Sequence, residues 1–89
     1  MSDAAGLRID RWLWFARFCK SRSLAQKLIA SGRVRLNRVV VDKASIEVHP
    51  GDVLTFPKAD AIRVVRVLAL GQRRGPAPEA RALYEEIPA

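Results

Sequence analysis

The residues of this chain that could do covalent or metal chemistry are few. Cys19 is its one cysteine and His49 its one histidine. A nucleophile needs a base within hydrogen-bond reach, and a structural zinc takes about four ligands. Cys19 falls on an apolar helical stripe and His49 sits beside Pro50 in a turn, so both read as structural. The nine acids are scattered without metal-ligand spacing, and no glycine-rich loop follows a strand. The expectation is a binding module and not an enzyme, with no catalytic residue, no cofactor and no metal.

Positive charge is what remains. Sixteen Lys and Arg against nine Asp and Glu give +7 and a pI near 10.8. Arg8 to Lys43 holds ten cations and two acids, a net of +8; the rest of the chain carries −1. A solvated surface without a partner has no reason to sort its charges this way, so a polyanion is implied, nucleic acid before an anionic membrane. Within KSRSLAQKLIASGRVRLN, residues 20–37, Lys20 and Arg22 precede an apolar helical stretch and Arg33 and Arg35 follow it. Ser21, Ser23 and the free amides of a first helical turn make a phosphate site, and arginine forks onto phosphate with paired hydrogen bonds. Gln26 and Lys27 fall on the outward helix face. A shaped, phosphate-lined ridge such as A-form RNA fits this surface, and an exposed apolar face for membrane binding is lacking.

The elements that must position these groups follow from periodicity. Ile9, Trp12, Leu13, Ala16 and Cys19 make one stripe of a helix over Arg8–Phe18, with Asp10 in its first turn. Trp14 and Phe18 fall off that stripe as an aromatic pair, either packed internally against the C-terminal segment or free to stack on bases. A second helix runs from Arg22 to Ser31, capped by Ser21 or its rival Ser23 and ended by Gly32, with Leu24, Ala25, Leu28 and Ile29 buried. The period then becomes two: Val34 and Leu36 point one way, Arg33 and Arg35 the other. Asn37-Arg38 turns into Val39–Val41, HPGD at 49–52 is a turn, Val53–Phe56 is a strand closed by Pro57, and Ile62–Leu70 is the longest β run. QRRGPAP reads as a loop and EARALYEE, residues 79–86, as a short helix. The fold class is α+β.

The stretch RIDRWLWFARFCKSRSLAQKLIASGRVRLNRVVVDKAS followed by HPGDVLTF resembles the RNA-binding domain first defined in ribosomal protein S-four, the alpha-L RNA-binding motif. RIDRWL, Ser-Arg-Ser, LI-x-x-G and V-x-L-N carry the likeness. It implies two N-terminal helices packed on a small, bent, mostly antiparallel sheet, followed by a short C-terminal helical segment. The expected organisation is a flexible N-terminus at 1–7, an RNA-binding domain at 8–70 with its core motif at 8–56, and a C-terminal loop and helix at 71–89. DRWLWFARF and QRRGPAPEARALYEE are similar to the ribosome-associated heat shock protein fifteen family. That resemblance implies a protein that binds large-subunit ribosomal RNA on free large subunits still holding peptidyl-tRNA, in rescue after heat stress. The lone Cys19, which can form no internal disulfide, gives the expectation of a reduced, cytoplasmic compartment, and a monomer is expected. Residue by residue it implies RNA contacts at Lys20, Ser21, Arg22, Ser23, Gln26, Lys27, Arg33, Arg35, Asn37 and Arg38. The sorted charge adds Arg8, Arg11 and Lys43, with Arg73 and Arg74 as secondary contacts. Asn37-Arg38 replaces the family's usual Asn-Gly. A helix-turn-helix DNA-binding protein is the alternative, although Ser23 and Ala30 offer little for base readout.

Overall fold

The protein is described by a computed structural model covering residues 5–88. The elements are β1 (Leu7–Arg8), α1 (Ile9–Phe15), α2 (Arg22–Ala30), β2 (Val34–Leu36), β3 (Val39–Val41), β4 (Glu47–Val48), β5 (Val53–Lys58), β6 (Ala61–Val67), α3 (Ala77–Arg81) and β7 (Tyr84–Glu86). Five strands form one sheet in the order β3-β2-β5-β6-β7, and β1 pairs with β4 in a second small sheet. Every strand pair is antiparallel. The α+β architecture is thus as expected.

The core lies between α1, α2 and the inner face of the large sheet. Ile9, Trp12 and Leu13 of α1 are fully buried, as are Ala25 and Ile29 of α2 and Val34, Leu54 and Val65 of the sheet. At about 25 cal/mol per Å², burying each large apolar side chain contributes roughly 1.5–3 kcal/mol. The α1 stripe read from periodicity is therefore the core stripe.

The structure corrects several boundaries. Helix α1 ends at Phe15, not Phe18, because Arg17 adopts a left-handed backbone with φ +66°. The amides of Arg17 and Phe18 donate to the carbonyls of Trp14 and Leu13, a Schellman closure in which arginine stands where glycine is usual. Leu24 is 47% exposed, not buried. The face that α2 turns to α1 holds Arg22, Ala25, Gln26 and Ile29, so polar residues complete the stripe and Leu24 falls outside it.

Strand β5 continues through Pro57 to Lys58. Val53 directs both its N–H and its C=O at Asn37. By the alternation of the ladder, Pro57 turns its missing N–H the same way, past the first residue of β2, where no donor is required. The Tyr84–Glu86 segment is a strand and not part of a helix, so the C-terminal region adds one short helix and an edge strand. Glu85 and Glu86 bind Arg66 and Arg63 of β6, and Tyr84 faces inward onto Phe18. Residues 71–88 thus close the same sheet that the N-terminal half begins. Of the N-terminal segment expected to be flexible, residues 1–4 lie outside the described residues, and Leu7 pairs with Val48.

Trp14 and Phe18 do not pair with each other. Phe18 is buried against Trp12, Phe56 and Tyr84. Trp14 packs beside Phe15 under the guanidinium of Arg74. Internal packing, against the C-terminal segment, is the role the structure gives Phe18.

Candidate nucleic-acid interface

The site is built around one carboxylate. Asp10 is fully buried at the start of α1. Its oxygens accept hydrogen bonds from Arg8 Nε at 3.1 Å, Arg8 Nη2 at 3.2 Å, Arg22 Nη2 at 3.3 Å and Gln26 Nε2 at 2.9 Å. Desolvation pushes the carboxyl up, but the hydrogen bonds from Arg8 and Gln26 and the charges of Arg22 and Arg8 outweigh it and hold Asp10 below the usual carboxylate range. Three groups expected at the RNA surface, Arg8, Arg22 and Gln26, are therefore anchored on an acid that periodicity assigns only to the helix dipole. Asp10 stands alone among the cations between Arg8 and Val41, and that isolation was the available signal.

Ser21 caps α2, its Oγ accepting from the Leu24 amide at 3.1 Å. Ser23 and Lys27 are exposed on the outer side of α2. Gly32 takes φ +78° with open space around it, ending the helix and releasing the chain into β2. Because Val34 enters the core, Arg33 and Arg35 lie on the opposite sheet face. Arg35 stands opposite Val40 and Thr55. A shallow groove of about 420 Å³, lined by Asn37, Arg38, Val53, Thr55, Val64 and Ile87, occupies that face.

The turn accepts what asparagine-glycine would provide more easily: φ is +51° at Asn37 and +75° at Arg38. The Asn37 side chain is committed internally. Its amide donates to Asp52 Oδ1 at 3.0 Å and its oxygen accepts from the Val53 amide at 2.9 Å. Arg38 is exposed at the tip. Arg11 and Lys43 are exposed on α1 and on the segment after β3. The secondary positions have internal partners: Arg73 forks onto Glu79, and Arg74 Nε donates to the Trp14 carbonyl at 3.1 Å.

A division of charge results. In the second half, Arg63, Arg66 and Arg73 each hold a glutamate. In the first half, Arg11, Lys20, Lys27, Arg33, Arg35, Arg38 and Lys43 have no intramolecular partner among the described residues. Lys20 and Lys27 lie along α2 and its entry, and Arg33, Arg35 and Arg38 on β2 and its flanks, the two groups joined through Ser31 and Gly32; Arg11 and Lys43 stand on α1 and after β3. Cys19 offers no nucleophile beside them, because burial pushes its thiol up against the lowering influence of Lys58.

The S4 domain matches residues 7–54 of this chain. The chain belongs to the S4-domain family. Among S4-domain proteins it is a member of the heat shock protein 15 group. It is 42% identical over 83 residues to heat shock protein 15 of Escherichia coli K12, an alignment covering 93% of this chain and 62% of that one. A solved trimeric structure of heat shock protein 15 from Vibrio cholerae superposes with a TM-score of 0.88 at 35% identity, covering 93% of this chain and 83% of that one. A Bacillus subtilis RQC P-site tRNA stabilizing factor is 36% identical over 61 residues, 68% of this chain and 70% of its own length. The chain spans about 60% of the length of the curated heat shock protein 15 relatives it matches. The S4 domain is an RNA-binding module of a non-enzymatic kind, and RNA binding is the activity the family assigns to this chain.

Proposed function

We propose that this S4 domain binds structured ribosomal RNA of the large subunit, on dissociated subunits still holding peptidyl-tRNA, and serves ribosome rescue or recycling under heat stress in the cytoplasm. The observation that carries the reading is the charge division: seven cations of the first half are left without an intramolecular partner among the described residues, while three of the second half, Arg63, Arg66 and Arg73, are each held by a glutamate. Arg11, Lys20, Lys27, Arg33, Arg35, Arg38 and Lys43 supply phosphate contacts, with Arg8, Ser21, Arg22, Ser23, Gln26 and Asn37 shaping the surface between them. The names of the relatives lend support, one a heat shock protein and one a factor that stabilises a P-site tRNA.

Sucrose-gradient sedimentation of a lysate tests it. The protein should travel with free large subunits, and more so after heat shock. Migration with small subunits alone, or only at the top of the gradient, overturns the assignment. A duplex-DNA target has less support, since Gln26 spends its amide on Asp10 and its outward neighbours Ser23 and Ala30 are small. Competition between duplex DNA and a ribosomal RNA stem-loop separates the two. We take the functional unit to be a monomer, and sedimentation equilibrium at a multiple of the 9.9 kDa chain mass would refute that.

A further inference from the structure

Away from the α2 and outer-sheet surface, four more cations converge on one small cavity. Arg17, Lys58, Arg63 and Arg81 ring a space of about 140 Å³ whose floor is Ala16, Phe18, Ala77, Ala80 and Tyr84. They come from four separate parts of the chain: the α1 exit, the end of β5, β6 and the end of α3. Three are held by internal bonds that leave donors free. Lys58 Nζ donates to the Phe18 carbonyl at 3.0 Å, leaving two of its N–H groups. Arg17 Nε donates to the Gly75 carbonyl at 2.7 Å, leaving both terminal nitrogens. Arg63 forks onto Glu86 through Nε and Nη2 and lies 5.4 Å over the Phe18 ring, leaving Nη1. Arg81 has no ion-pair partner among the described residues. Among the described residues no acid lines the cavity; on the elements that form it, Glu86 is spent on Arg63 and Glu79 on Arg73, and Asp60 lies in the β5–β6 turn, so the rim keeps a positive excess.

A second observation points the same way. Arg17 holds φ +66°, a conformation that favours glycine and disfavours a side chain. Its Nε is anchored on the Gly75 carbonyl, and the residue lines this cavity.

We propose that the cavity is a second phosphate site, taking a phosphodiester of the same RNA that occupies the α2 and outer-sheet surface. It rests on the RNA-binding reading above. Lys58 ends β5 at the side of the sheet where β2 begins, and its bond to Phe18 ties it to the connection that carries Lys20. A backbone leaving the Lys20 end of the first surface therefore reaches the cavity next. Phe18 is too buried to stack on a base, so recognition is by phosphate and independent of sequence.

The test measures binding of a fluorescein-labelled ribosomal RNA stem-loop against salt concentration, for wild type, Lys58→Gln/Arg81→Gln, Arg33→Gln/Arg35→Gln, and the four combined. The Lys58/Arg81 variant should bind about five- to twentyfold more weakly near physiological salt, with the salt slope reduced by about 0.7–0.9 for each phosphate left without its cation. The weakening should persist on the Arg33/Arg35 background. Arg17→Gly removes the guanidinium and its bond to Gly75 while easing the backbone, two effects that oppose each other, so it should stay folded, as a thermal melt would check, and still bind more weakly. If the Lys58/Arg81 and Arg17 variants bind like wild type while Arg33/Arg35 weakens, this site is refuted and the first surface stands. If no variant weakens binding, both readings fail. If the wild-type cavity captures adenosine monophosphate, seen as Phe18 and Tyr84 amide shifts, in preference to the stem-loop, it is a free-nucleotide site and the RNA assignment is overturned.

Discussion

At the scale of single residues, Asp10 is the point on which the interface depends. Replacing it with asparagine leaves Arg22 without its counter-charge, and Arg22 Nε is already buried without a partner. Both arginines keep contact with water, so removing their shared acceptor should cost about 1–3 kcal/mol, which urea unfolding of D10N would measure. The pH dependence has a definite sign. The folded carboxyl lies below the ordinary value of 3.8, so its contribution is fully present above that value and disappears as pH falls through the lower folded value. Wild type and D10N should therefore converge in stability in strong acid, and a constant gap down to pH 2 would refute this role. The sequence displayed Asp10 as an acid in a helical first turn. It could not display the three donors above it, because Arg22 and Gln26 reach it only once α2 has docked on α1.

At the scale of elements, one turn is stabilised less than its backbone geometry allows and one helix cap is fully used. Arg38→Gly should stabilise the β2–β3 turn by up to about 1 kcal/mol, since φ +75° costs a non-glycine residue roughly that much. The same change should weaken RNA binding, so melting temperature and affinity move in opposite directions. Ser21→Ala should cost α2 about 1 kcal/mol by removing the cap on the Leu24 amide. Periodicity revealed elements wherever a run was long enough to show a face. The stripe of α1 and the alternation of β2 were both visible. The end of α1 was hidden because arginine occupies the left-handed position. Strand β7 was hidden because EARALYEE has good helix formers, and the strand is selected by partners distant in sequence: the β6 ladder, Phe18 under Tyr84, and Arg63 and Arg66 opposite the glutamates. Strands β1 and β4, of two residues each, carry no period at all.

At the scale of the whole molecule, charge is sorted by pairing as well as by position. Salt should weaken RNA binding steeply, and neutralising Arg33 and Arg35 should lower the slope of log K against log salt by about 0.7–0.9 per arginine replaced. Breaking a second-half pair, as in Glu85→Gln, frees Arg66 without touching the first-half surface. Exposed pairs of this kind contribute about 0–1 kcal/mol, so E85Q should fold normally. Its RNA affinity should stay near that of wild type, and a large gain would show that pairing was holding Arg66 back from the RNA. The α2 cations were legible from the sequence because they are contiguous. The Arg17, Lys58, Arg63 and Arg81 ring was not, because its members meet only after the sheet closes.

The closing of that sheet also places an optical probe at its seam. The indole N–H of Trp12 donates to the Ala69 carbonyl at 3.0 Å, and the ring is wholly buried. Trp14 is half-buried near the surface, beneath Arg74. The two indoles therefore emit from different surroundings. Detachment of the segment from Ala69 onward would wet Trp12 and move its emission to the red, while RNA docking on the exposed outer side of α2 would leave the buried Trp12 ring dry. Fluorescence from the native chain can thus tell undocking of the C-terminal strand apart from ligand binding, with no label added.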